Sequence, residues 1–140
     1  MDKFTIKSQE AIQNAQRLAE RKGHQQIEVE HLLWVILDND EGVASQMLKR
    51  NGVNTKLLQK DVEEILDKLP KVVGPTPVGQ IYISPRLKEV FESALQEAKH
   101  LTDEYVSIEH LLLSVIKVGG TASDLLKKYG VDTDKLLVAM

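Results

Sequence analysis

Residues 27–37 read IEVEHLLWVIL, and residues 106–116 read VSIEHLLLSVI, with Glu-His-Leu-Leu in register in both. The following segments agree too: ASQMLKRNGV at 44–53 sits against ASDLLKKYGV at 122–131, and Thr55 falls on Thr133. Upstream, Ala15 and Ala19 align with Ala94 and Ala98, so the offset stays at 78 or 79 residues throughout. A solenoid needs shorter units and at least three of them, so a long period present only twice argues against one. It predicts two copies of a small helical unit packed as a pseudo-two-fold pair. The seam between them is a groove that neither copy has alone, and so a candidate binding site.

Each copy reads as four helices. Thr5 is an N-cap, followed by Ala11, Ile12, Ala15, Leu18 and Ala19 on one face, and Gly23 closes the helix. In the second copy Ser84 caps and Pro85 takes the first position, where its missing N–H costs nothing. The spacing then runs Leu87, Val90, Phe91, Ala94, Leu95, Ala98 and Leu101. Second helices cover about 28–37 and 107–116, and third helices about 42–51 and 121–129. The third helices are closed by Gly52 and Gly130 in a left-handed conformation. Asn54 and Asp132 cap the fourth helices. The fold class is therefore all-α: two tandem four-helix repeats, at 4–69 and 83–140, forming one domain over 1–140. A Pro/Gly connector at 70–82 joins them, since PKVVGPTPVGQ forbids a continuous helix. Val72, Val73, Val78, Ile81 and Tyr82 suggest that this connector lies on the surface as a strap. No strand pattern of useful length is present elsewhere.

An apolar share of 42% is enough for a core, and the net charge of −3 with scattered Lys and Arg argues against nucleic acid as a partner. No cysteine is present, which suits a cytoplasmic setting. No signal-peptide pattern or membrane-length apolar run appears. The abrupt end at LLVAM suggests a module from a longer chain.

Catalytic signals are weak. Glu30-His31 and Glu109-His110 invite a metal reading, but a metalloprotease helix carries two His four residues apart, and here each stands alone. The plainer reading has the glutamates complementing their helix N-termini while the histidines anchor the helix starts by hydrogen bonding. The serines sit at caps or within helices, none in a nucleophile elbow, and no phosphate-cradling glycine loop occurs. No metal or cofactor is expected in these residues. Trp34, where the second copy has Leu113, reads as core, with a binding patch as the alternative. Phe91 reads as core, and Tyr82 and Tyr105 as candidates to line a groove.

The run FTIKSQEAIQNAQRLAERKGHQQIEVEHLLWVIL, the A-x-x-x-L-x-x-x-G-V stretch and the second EHLLL resemble the N-terminal repeat domain of the Clp ATPases across essentially the whole chain. The stretch PKVVGPTPVGQIYISPRLKEVFESALQEAKHLTDEYVSIEHLLL looks most like the ClpB-type disaggregases. The resemblance implies a mobile, non-catalytic module of a hexameric AAA+ stress-response chaperone. That chaperone threads aggregated protein through its pore with ATP and a DnaK-type partner system. ATP and Mg belong to the ATPase modules, which these 140 residues lack. The module itself would capture exposed apolar segments of unfolded or aggregated polypeptides, and in isolation would be a monomer. By motif position the resemblance places substrate handling on Thr5, Asp103 and Glu109, the last two as an acid pair before the sixth helix. Glu30 is the repeat mate of Glu109, and Tyr82 and Tyr105 complete the candidate set. An alternative is adaptor docking, as in the ClpC and ClpA proteolytic relatives. A metal-dependent enzyme using His31 and His110 is the third reading.

Overall fold

The computed structural model describes residues 2–71 and 81–140. Its described elements are α1 (Ile6–Arg21), β1 (Gln26–Ile27), α2 (Val29–Asp38), α3 (Val43–Arg50), α4 (Thr55–Asp67), β2 (Tyr82–Ile83), α5 (Pro85–His100), α6 (Ile108–Val118), α7 (Thr121–Lys128) and α8 (Thr133–Ala139). The described residues are all-α apart from two short strands. Val72, Val73 and Val78, the apolar part of the expected strap, lie outside the described residues. No helix among the described residues is long and apolar enough to cross a membrane.

The helices begin where polar side chains satisfy free N–H groups. Thr5 accepts from the Ser8 N–H at 3.1 Å, and Ser84 from the Leu87 N–H at 3.1 Å. Asn54 and Asp132 cap α4 and α8 in the same way. The centre of the core is built by α2 and α6. Leu32, Leu33, Leu111, Leu112 and Leu113 are fully buried there. Around them, α1 and α4 pack on α2, and α5 and α7 pack on α6. The small residues Ala15 and Ala19 let α1 approach α2 closely, Ala94 and Ala98 do the same for α5 on α6, and all four are buried. Phe91 is half-buried and meets Phe4 edge-to-face, with ring centroids 5.9 Å apart.

Two tiny parallel pairings cross between the copies. Gln26–Ile27 pairs with Tyr82–Ile83, and Phe4 bridges to Val106. The bonds run from Tyr82 N–H to Gln25 C=O and from Ser84 N–H to Ile27 C=O, and reciprocally between Thr5 and Val106 and between Val106 and Lys3. By sequence offset, Ile83 is the mate of Phe4 and Val106 the mate of Ile27. Each pairing therefore joins the residue ahead of one copy's first helix to the residue ahead of the other copy's second helix. The sequence predicted no such strand, because two residues are too few for a period-two pattern.

The first helix of each copy ends in the same hydrogen-bonded turn with different residues. His24 N–H bonds Ala19 C=O and Gly23 N–H bonds Glu20 C=O, with Gly23 at φ 76°. In the second copy Asp103 N–H bonds Ala98 C=O and Thr102 N–H bonds Lys99 C=O, with Thr102 at φ 55°. A β-branched residue thus occupies a left-handed position that its mate fills with glycine.

Candidate functional site

The two histidines hold the starts of α2 and α6. His31 Nδ1 accepts from the Glu28 N–H and His110 Nδ1 from the Ser107 N–H, both at 2.8 Å. This is the anchoring role the sequence suggested. Accepting at Nδ1 leaves each neutral ring with its proton on Nε2, free to donate. The recipients differ: His110 Nε2 faces Asp103 Oδ2 at 2.8 Å, and His31 Nε2 faces His24 Nδ1 at 2.8 Å. Asp103 and His24 are repeat mates. Burial pushes His31 down to about 4 and also lowers His24, with Lys22 and Lys71 adding to the effect on His24.

A cavity of about 1070 Å³ opens within the first copy, and only the start of α6 reaches it from the second, so it is not the groove expected along the seam between the copies. One wall is α1, from Thr5 to Arg21; the other runs from Trp34 on α2 to Ala44 on α3. Ser107, Ile108 and Glu109, from the start of α6, close one end. The apolar lining includes Trp34, Val35 and Ile108, all half-buried, and Val43, which is 56% exposed. Trp34 is therefore neither core nor free surface. Its indole N–H donates to Glu63 Oε2 at 3.4 Å while its ring lines the cavity.

A second concavity of about 510 Å³ adjoins the first. Leu101, Asp103, Tyr105, Leu137 and Met140 are among its lining residues, and Ser107 and Glu109 border both spaces. Of the six residues picked from the sequence, Thr5 and Glu109 share the larger cavity, and Asp103, Tyr105 and Glu109 share the smaller one. Thr5 is also tied to its own helix, since its hydroxyl donates to Ser8 Oγ at 2.9 Å. Asp103 precedes α6, and Glu109 lies inside its first turn rather than before it.

Glu30 and Tyr82 line neither space. Tyr82 is 65% exposed on β2. Glu30 is buried, and desolvation raises its carboxyl above the usual range; its own N–H, the Ala122 N–H and the Arg86 charge oppose the rise. Thus Glu30 and Glu109, identical in motif, sit in different environments. Val35, Val43 and Ile108 were missed as lining residues, and Trp34 reads in the sequence as core with a binding patch as the alternative. An apolar residue facing a cavity carries the same periodic signal as one facing the core.

The Clp repeat (R) N-terminal domain family matches residues 3–129. The chaperone protein ClpB of Bacillus anthracis is 33% identical over 141 residues, covering 100% of this chain and 16% of its own length. The chain thus spans about a sixth of that relative. Among solved structures, the Hsp104 N-terminal domain from Candida albicans superposes with a TM-score of 0.82 at 23% identity, covering 97% of this chain and 87% of that one. A complex of a ClpV N-domain with a VipB peptide gives a TM-score of 0.77 at 20% identity, covering 99% and 86%. At these identities the two structures show a shared fold.

Proposed function

Because this chain belongs to the Clp repeat N-terminal domain family and is ClpB-like in sequence, we propose that it is the substrate-recognition module of an AAA+ protein disaggregase. The cavity between α1, α2 and α3 captures exposed apolar segments of unfolded or aggregated polypeptide, and the longer protein passes them to its ATPase pore. The observation that carries this reading is the partly exposed apolar lining, Trp34, Val35, Val43 and Ile108, in a cavity of about 1070 Å³. That combination suits broad, non-directional capture. The ClpV N-domain solved with a VipB peptide supports peptide binding by this fold.

Thr5 and Glu109 stand at one end of the capture cavity, and Asp103 and Tyr105 extend the surface into the smaller concavity. We place the repeats at 4–69 and 83–140 and read them as pseudo-two-fold mates, a reading supported by the reciprocal pairings of Phe4 with Val106 and Ile83 with Ile27. The whole protein acts as a cytoplasmic hexamer with a DnaK-type system.

The test is an NMR titration of the labelled chain with a reduced, carboxymethylated protein that cannot refold. Shifts at Thr5, Trp34, Val43 and Glu109 are expected. Their absence at high excess, with tight binding to one folded partner instead, would replace substrate capture with adaptor docking.

A further inference from the structure

Part of the capture cavity's lining has covered counterparts on the second copy. By the 79- and 78-residue offsets, the mates of Thr5, Trp34, Val35, Ile108 and Glu109 are Ser84, Leu113, Ser114, Val29 and Glu30. Every one of the first five is half-buried, and every one of their mates is buried. The helices are equivalent and the motif is shared, so something local must hold α5 against α6 more tightly than α1 is held against α2.

Two contacts tie α5 to the residues at and just after the end of α6. Leu18 and Asp38 face the open cavity from opposite walls. Their mates, Glu97 and Lys117, form an ion pair of 2.6 Å between α5 and α6. Lys7 and Gly42 also line the open cavity, and their mates are Arg86 and Gly120. The Arg86 side chain lies flat on Gly120, so closely that a Cβ there would come within 2.7 Å of its Cδ and 2.8 Å of its Nε. Gly120 is at φ 101°, which only glycine adopts easily, so both its backbone and its missing side chain make room for the arginine. Ser114, the mate of Val35, is fully buried, with no hydrogen-bond partner for its hydroxyl among the described residues. A buried, unpartnered hydroxyl costs stability where the mate position faces an open space.

We infer that the second copy carries a latent binding cleft clasped shut by Arg86 over Gly120 and by the Glu97–Lys117 pair. In consequence the chain offers one working cleft and takes one polypeptide segment at a time. The stoichiometry rests on the capture reading above; the closure does not.

The chain has no cysteine, so a single thiol can report each cleft. Val35→Cys and Ser114→Cys report the open and shut clefts, and Ser45→Cys, buried elsewhere, reports general unfolding. In the parent chain Val35→Cys should react with a thiol reagent about 100-fold faster than Ser114→Cys, which has to wait for a local opening. Combining Arg86→Ala with Lys117→Ala should raise the Ser114→Cys rate about tenfold and leave Ser45→Cys unchanged. Equal rates at Val35→Cys and Ser114→Cys in the parent would overturn the closure. So would no change on removing the clasps, or an equal rise at Ser45→Cys. Adding the unfolded polypeptide should protect Val35→Cys in the parent, and Ser114→Cys as well once the clasps are gone. Protection of neither would sink the capture reading while leaving the labelling rates to decide on the clasps.

Discussion

His24 Nδ1 lies 2.8 Å from His31 Nε2, and both rings are buried. The Glu28 N–H fixes the acceptor on His31, so His31 donates and His24 receives, which leaves the remaining His24 proton on Nε2. That Nε2 has no partner among the described residues. The pair is a hydrogen-bonded relay of two neutral rings, and a further proton on either ring meets burial and the nearby lysines.

Acid should therefore unfold this chain through that pair. His31 takes its proton at about 4 when folded and near 6.5 when unfolded, so between these values the unfolded chain holds more protons. Stability rises with pH across this window: it is complete above about 6.5 and is lost as pH falls toward 4, with a limiting slope of about 1.4 kcal/mol per pH unit for one site. His24→Asp installs the residue found at the mate position, Asp103, and should flatten the slope. Urea unfolding between pH 4 and 7.5 reads both. A parent chain equally stable at pH 5 and pH 7 would refute the assignment.

Thr102 at φ 55° is a β-branched residue held left-handed. Thr102→Gly should stabilise by about 0.5–1 kcal/mol, the relief of strain exceeding the entropy gained by the unfolded chain. The reverse change, Gly23→Thr, should cost about 1 kcal/mol. A Cβ at Gly23 would meet only the Lys71 Cβ at 3.8 Å, so conformation and not crowding decides the sign there. Thermal melts of the two variants should shift in opposite directions.

Asp103→Ala leaves the His110 Nε2–H without its acceptor and should lower stability by about 1–3 kcal/mol. Asp103→Asn keeps an acceptor oxygen and should lose much less. A loss of binding to unfolded polypeptide seen only with Ala would trace to the α6 anchor, whereas one shared by Asn would mark direct contact of the carboxylate with the polypeptide.

Val43→Asp should separate capture from folding. Val43 is the first residue of α3, more than half exposed, and lines the cavity. A carboxylate at a helix start is favourable, so the melting temperature should hold or rise slightly. Affinity for the unfolded polypeptide should fall about tenfold, as a charge replaces an apolar contact. The single tryptophan, Trp34, lines the same cavity, so its emission gives the binding curve without a label. Undiminished affinity would put the capture surface elsewhere.

The helices were legible because caps and periodic apolar residues are local. Thr5, Ser84, Asn54 and Asp132 each announce a start that the structure keeps. What decides the site is not local. Glu30 and Glu109 share one motif, yet the first is buried in the shut cleft and the second borders an open cavity. That difference depends on positions far away in sequence, such as Glu97 and Lys117 against Leu18 and Asp38. The sequence also made Asp103 a candidate substrate residue without showing that His110 engages it. Trp34 read as core because the period of an apolar helix face does not say whether a neighbour covers it.

The reciprocal pairings, Phe4 with Val106 and Ile27 with Ile83, mean that neither half completes its own bonding. An isolated copy could satisfy both edges only by meeting a twin, and its folding would then depend on concentration. The covalent join between the copies turns that bimolecular equilibrium into a unimolecular one. A chain cut within the join should therefore behave as two interlocking pieces that drift apart on dilution and recombine when mixed.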